Sequence, residues 1–160
     1  EPVFKFEALR MKKLYRNYYS ENRGLDLVGI GQLGIGTLSS EALFGFAARW
    51  GSSLEFSHAT FSLQPDRQVN SLTLSPSNNF FAYVGVLGGY VANDIMINGS
   101  TFRNSPSVPL SHEHNQVSAG VVFKYGKLSY VFQITSANSR TKILSERGRF
   151  GAFSVTWNLE

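Results

Sequence analysis

The sequence predicts an all-β protein, an antiparallel series of membrane-crossing strands of the kind that build a transmembrane β-barrel. Three observations predict it. Apolar residues alternate with small or polar ones at period two in four separate segments. Aromatic residues make up 14% of the chain and charged residues only 16%, against roughly 25% charged in an average soluble domain. No unbroken apolar stretch reaches the roughly 18 residues that a membrane-crossing helix needs. The longest candidate, Phe80 to Ile97, is interrupted by Gly85, Gly88, Gly89, Asn93 and Asp94. A mean hydropathy of −0.11 fits strands that show only half their residues to lipid.

The strands follow in order. Val3–Arg16 carries Phe4 and Phe6 on one parity and Leu9 and Met11 on the other. The switch near Ala8–Leu9 is what a β-bulge would produce. Leu25–Gly36 puts Leu25, Leu27, Leu33 and Ile35 on one face, with Gly29 and Gly31 between them. In Ala42–Trp50 the residues Ala42, Phe44, Phe46, Ala48 and Trp50 alternate with Leu43, Gly45, Ala47 and Arg49. Phe80–Asn93 is apolar on both parities, as a strand pressed against protein on one side and lipid on the other would be. Val117, Ala119, Val121, Phe123 and Tyr125 form one face of the next strand. Leu128, Tyr130, Phe132 and Ile134 form one face of the strand after it, and Phe153, Val155, Trp157 and Leu159 that of the last. Because successive strand residues point to opposite sides, each segment has one apolar and one more polar face. The seven strands fall at about 3–16, 25–36, 41–53, 79–93, 115–125, 127–137 and 149–159.

Tyr125-Gly126-Lys127 reads as a tight turn, Ser136 to Arg147 as a longer connection, and residues 94–115 as a long extracellular loop. Bacterial barrels have short periplasmic turns and long external loops, so a periplasmic carboxyl end fits this pattern. Glu55–Asn79 breaks it, being long and on the periplasmic side by the same count; a short strand at His58–Leu63 could lie within it. Trp50, Tyr83, Tyr90, Tyr130 and Trp157 suit interfacial aromatic girdles. An odd strand count leaves an edge with unsatisfied backbone groups in hydrocarbon. It predicts either an unrecognised eighth strand or a portion of a larger barrel. Residues 1–160 form one outer-membrane barrel domain on this reading, with a processed or truncated start at Glu1.

The run Ile97-Asn98-Gly99-Ser100-Thr101-Phe102-Arg103-Asn104-Ser105-Pro106-Ser107-Val108 resembles a loop motif of the outer-membrane lipid A 3′-O-deacylases, the LpxR type. The likeness extends to Phe81–Asp94, Gln116–Phe132, Phe150–Trp157 and Gly24–Leu54, and so covers most of the chain but only about the second half of the family. It implies the C-terminal part of a barrel of about twelve strands. It also implies a calcium-dependent hydrolase that removes the ester-linked 3′-acyloxyacyl group from lipid A. The family's catalytic His and calcium ligands have no matching positions here, so the chain alone is expected to be inactive. Ser139–Arg147 departs from the acidic, Gln-containing loop of the family. Outer-membrane lipid, lipopolysaccharide and the outer-membrane assembly machinery are the implied partners.

Arg103 is the one substrate-binding candidate, since an Arg fork matches a lipid A phosphate. The blander role is to brace its own loop. His112-Glu113-His114 places two imidazoles at strand spacing, which could share a metal, but only Asp94 lies near enough to add to them. A solvated loop tip explains the cluster better, and no catalytic or metal-ligating residue is assigned. His58 has no evident carboxylate or nucleophile partner, and Gly51-Ser52-Ser53 lacks the strand-to-helix setting of a nucleophile elbow. Without Cys there is no thiolate chemistry. The net charge of +4, clustered at Arg10, Lys12, Lys13 and Arg16 and again from Arg140 to Arg149, suits strand ends near anionic headgroups better than nucleic acid. Two rivals predict different geometry. A complete eight-stranded structural or adhesive barrel requires its first and last strands to pair. A soluble lipid-binding barrel requires its aromatics to point inward.

Overall fold

In a computed structural model, residues 3–20, 23–54, 78–99, 106–143 and 146–157 are described. They form one seven-stranded antiparallel sheet in which each strand pairs only with its neighbours in sequence. The strands are β1 (Lys5–Ser20), β2 (Arg23–Gly36), β3 (Ser39–Ser52), β4 (Asn78–Asp94), β5 (Glu113–Tyr125), β6 (Leu128–Ala137) and β7 (Gly148–Trp157). A single-turn helix, α1 (Ile95–Asn98), follows β4. All seven expected strands are present, most within two or three residues of their expected ends; β1 runs four residues further, to Ser20.

Alternation decides which side of each strand is buried. In β3 the odd positions Glu41, Leu43, Gly45, Ala47, Arg49 and Gly51 are buried, while Phe44 and Phe46 are 65% and 55% exposed. The same rhythm runs through β5 and β6, where Gln116, Ser118, Val122, Val131, Gln133 and Thr135 are buried and Val121, Phe123, Phe132 and Ile134 are exposed. No second layer packs on the sheet among the described residues, so burial of one whole face means that the sheet curls around it. The inner face holds an apolar cluster including Val28, Leu43, Phe81, Leu87, Val122 and Val131, and polar rows flank it. The outer face is almost entirely apolar, as lipid contact demands and as a soluble barrel with inward aromatics would not show.

β4, apolar on both parities, has Phe81, Leu87 and Val91 inside and Phe80, Val84 and Val86 outside. Two expectations need correction. The register of β1 against β2 runs unbroken from Lys5↔Gly36 to Lys13↔Val28 and shifts only between Lys13 and Tyr15, and again between Tyr18 and Ser20. The bulge therefore lies five residues beyond Ala8–Leu9, between Lys13 and Tyr15, and Leu9 and Met11 face inward. Tyr83 belongs to no girdle: it lies on the inner parity of β4, with its ring tilted 40° to that of Phe81 at 6.3 Å.

The other expected girdle residues at one sheet end do gather on the outer face. Trp50 Nε1 donates to the Tyr19 hydroxyl, and the Trp50 ring packs edge-on against Phe80 at 6.1 Å. Tyr130 stacks on Phe123 at 6.3 Å, and Tyr125 and Trp157 stand exposed beside them. This lower end carries the β1–β2, β3–β4 and β5–β6 connections. The β5–β6 turn is the expected tight one, with Gly126 at φ +58, where a side chain would be strained. The upper end carries the other three connections. β1 and β7 do not pair with each other among the described residues, so the sheet is open. The segment proposed to hide an eighth strand, 58–63, lies outside the described residues.

Candidate functional site

Polar chemistry is concentrated at three places on the inner face and upper rim. At the lower end, cross-strand register sets Asp26 of β2 directly opposite Arg16 of β1 and Arg49 of β3. Arg49 donates from Nε to Asp26 Oδ1 at 2.9 Å and from Nη2 to Asp26 Oδ2 at 2.5 Å. Arg16 Nη2 donates to the same Oδ2 at 3.0 Å. Asp26 is 0% and Arg49 1% exposed, and Arg49 also donates to the Leu54 carbonyl at 3.2 Å. One carboxylate thus holds two guanidinium groups. The alternation reading had placed Arg49 on the inner parity without a partner; only the register supplies one.

Toward the upper end, Lys5 Nζ lies 2.7 Å from Glu41 Oε1 and 3.2 Å from Glu7 Oε2. Gln32 Nε2 donates to Glu41 Oε1 at 3.2 Å. Across β5 and β6, on the far side of β4, runs a neutral ladder: Gln116 donates to Ser118, Ser118 and Thr135 share a hydrogen bond at 3.0 Å, and Gln133 donates to Thr135. A polar inner wall of this kind meets most of its buried polar groups with cross-strand neighbours.

The upper rim is a knitted cap. Asp94 accepts at Oδ1 from the Met96 amide, which starts α1, and at Oδ2 from Arg140 Nη1 at 3.0 Å. Asn98, the first polar residue of the loop motif, accepts from the Asp94 amide and donates to Asn93 Oδ1. Asn93 in turn donates to the Thr37 carbonyl, and the Ile95 amide to the Leu38 carbonyl, which ties the motif to the β2–β3 turn. Val108 N donates to Ile97 O, closing the motif on itself, and Leu110 bridges to Thr141 of the β6–β7 connection. The asparagine at the motif's start therefore has a structural task. Arg103 lies outside the described residues, as does His58.

The His112–His114 pair is not brought to one side. His112 precedes β5 and stacks on the outward Tyr90 ring at 5.2 Å, with Nδ1 2.8 Å from the Val91 carbonyl. His114 is inside β5 and buried on the inner face. Period two applies only within a strand, and the strand begins after His112. Asp94, their nearest expected companion, is held by Arg140 and by the start of α1. Among the described residues no three His, Asp or Glu side chains converge. The buried carboxylates Asp26, Glu41 and Asp94 each already face a cation. That donor set does not suit calcium, which needs six to eight oxygen ligands, roughly, including free carboxylates.

Comparison with known proteins gives this wall its context. The family model described as outer membrane protein LpxR matches residues 1–159. Among solved structures, LpxR from Salmonella typhimurium is similar with a TM-score of 0.74 at 12% sequence identity. The likeness covers 96% of this chain and 52% of that one, so the chain spans about half the length of the solved protein. None of the curated proteins compared with the chain matches it. An apolar exterior, an inner face of polar rows beside an apolar cluster, and a family match over nearly every residue agree: the chain belongs to the LpxR family of outer-membrane proteins.

Proposed function

We propose that the chain is part of the wall of an outer-membrane hydrolase that removes the ester-linked 3′-acyl group from lipid A. The observation that carries this reading is the family match across residues 1–159. The open edges of β1 and β7 and the half-length likeness to the solved protein support a larger barrel, of which these seven strands form the C-terminal portion. Closure by further strands would satisfy the edge hydrogen bonds that hydrocarbon cannot. Two of the three upper connections, 95–112 and 138–147, are long, which supports an extracellular upper end and a loop across 94–115 on that side. The knitted cap would then stand at the outer leaflet, where lipid A resides.

The described residues contribute binding surface and rigidity to such a reaction. No catalytic role is assigned to them on this reading, and their carboxylates Asp26, Glu41 and Asp94 are each engaged by a cation. Calcium and the catalytic histidine, both implied by family resemblance, would be supplied by other parts of the protein. The test is direct. Full-length protein in detergent, given hexa-acylated lipid A with calcium, should yield lipid A lighter by the 3′-acyloxyacyl group in a mass spectrum, and chelation should stop the release. The isolated chain should release nothing. Intact lipid A after prolonged incubation with active, folded full-length protein would refute the hydrolase reading, and release by the chain alone would refute the division of labour.

A further inference from the structure

The exterior of β1–β3 is apolar nearly everywhere: Phe6, Leu14 and Tyr15 on β1, Leu25, Leu27, Leu33 and Ile35 on β2, Phe44 and Phe46 on β3. Two cations break it. Lys5 reaches inward to Glu41 and Met11 packs on the inner core, so the alternate residues Arg10 and Lys12 stand on the outside. Register agrees, because Arg10 pairs with Gly31 and Lys12 with Gly29, on the parity that sends Leu27 and Leu33 outward. Both cations are exposed, and neither makes an ion pair or hydrogen bond among the described residues. They are the sixth and eighth residues of a sixteen-residue strand that starts at the upper end with Lys5, so both lie in its upper half, within reach of the upper interface. A bare Arg or Lys on a lipid-facing wall is destabilising, and an ionisable residue there marks a site whose partner should be sought.

The surface beside them is shaped for a ligand. Opposite Arg10 the floor is glycine backbone, where a Cβ at Gly31 would meet nothing closer than the Phe44 ring at 3.8 Å; Gly29, opposite Lys12, is covered by the Leu14 side chain, which a Cβ there would meet at 3.3 Å. Beyond the glycines, Phe44 pairs with Gly31 and Phe46 with Gly29. Cations on one side, bare backbone in the middle and two phenyl rings on the other make an amphipathic slot in the membrane-facing wall. We propose that this slot is a lipid A site, with Arg10 and Lys12 holding a headgroup phosphate and an acyl chain lying over Gly31 against Phe44, between Leu14 and Phe46. Phosphate fits both cations, the Arg fork by geometry and the Lys by charge. The assignment rests on the hydrolase reading above and adds where on the wall the substrate sits.

The experiment uses full-length protein in nanodiscs and reads binding without turnover. The probes are bisphosphorylated lipid A, the same lipid A with its phosphates removed, and phosphatidylglycerol. The double variant Arg10→Gln, Lys12→Gln should weaken binding of bisphosphorylated lipid A about tenfold, equivalent to about 1.4 kcal/mol. It should leave dephosphorylated lipid A and phosphatidylglycerol unchanged. Lys13→Gln makes the same charge change on the inner parity and should have no effect. Gly31→Val fills the slot without touching charge and should also weaken lipid A binding several-fold. The site is overturned if the double variant binds lipid A normally. It is equally overturned if all three lipids are lost alike, if Lys13→Gln has the same effect, or if Gly31→Val binds as tightly as the parent. Phosphate-dependent binding without acyl release would overturn the hydrolase reading alone; acyl release with binding indifferent to Arg10 and Lys12 would overturn the site alone.

Discussion

Replacing Phe46 by Arg tests whether the apolar face of the sheet meets lipid. Phe46 is the eighth of fourteen residues in β3, so it lies roughly 23 Å along the strand at about 3.3 Å per residue. With a tilt near 45° that is about 16 Å of depth, well inside an apolar band of about 25 Å. Arg near the midplane of such a wall costs about 2–4 kcal/mol. Phe46 is 55% exposed, so its contacts with protein account for only about half of the 1.5–3 kcal/mol of a fully buried aromatic, and their loss adds about 1 kcal/mol. The expected total is about 3–5 kcal/mol. Reversible urea unfolding of the full-length protein from phospholipid vesicles would measure it, with Phe46→Leu as the control that removes the ring without adding charge. If Phe46→Arg costs no more than Phe46→Leu, the exterior does not face hydrocarbon and the membrane orientation of the sheet is wrong.

Three further substitutions separate kinds of stabilisation. Asp26→Asn leaves Arg49 buried and Arg16 nearly so without their shared carboxylate, and should cost about 3–5 kcal/mol in the same unfolding assay; Arg49→Met added to it should recover part of the loss. Arg140→Ala breaks the pair with Asp94, whose two side chains are 34% and 10% exposed, so its effect on global stability should stay near 0–1 kcal/mol, roughly the surface value. Limited proteolysis should nevertheless cut the β4–β5 connection faster in that variant. Gly126→Ala meets no steric neighbour, so its penalty is conformational only, about 1 kcal/mol from the positive φ. A larger loss would mean that the turn carries contacts beyond its own backbone.

The fold was legible because lipid contact imposes alternation on the sequence. Phe44 and Phe46, Val121 and Phe123, Phe153 and Val155 had to share an outward face, and the structure puts them there. The one strand misread was β1, and the reason is physical. Equating apolar with outward forces a parity switch at Ala8–Leu9, because Leu9 and Met11 sit out of phase with Phe4 and Phe6. Hydrogen-bond register overrides that assumption: it keeps Leu9 and Met11 inside, leaves Arg10 and Lys12 outside, and defers the bulge to Lys13–Tyr15. Tyr83 was misplaced by the same habit, since an aromatic on a strand apolar on both faces has no parity signal to follow. The cap was legible only in part. The motif from Asn98 to Val108 was visible as a motif, but its ties to Thr37, Leu38 and Arg140 join residues that sequence spacing cannot relate.

Charge follows a simple rule once the two faces are known. On the inner face, a charged residue must be met by an opposed residue or by one on an adjacent strand, because solvent is scarce there and desolvation is costly. Asp26 obeys by facing Arg16 and Arg49, and Glu41 stretches the rule by taking Lys5 from two strands away, across the bare Gly34 of β2. Those pairings were hidden in the sequence only because the register was; given the register, Asp26 had no other cross-strand neighbours to choose from. The outer face obeys the same physics with a different partner. Arg10 and Lys12 face away from every carboxylate of the inner wall, beside the open backbone of Gly31. The energetic demand that placed Asp26 between two arginines is as strong for these two cations, and from the wall's exterior an anion that the membrane brings would meet it.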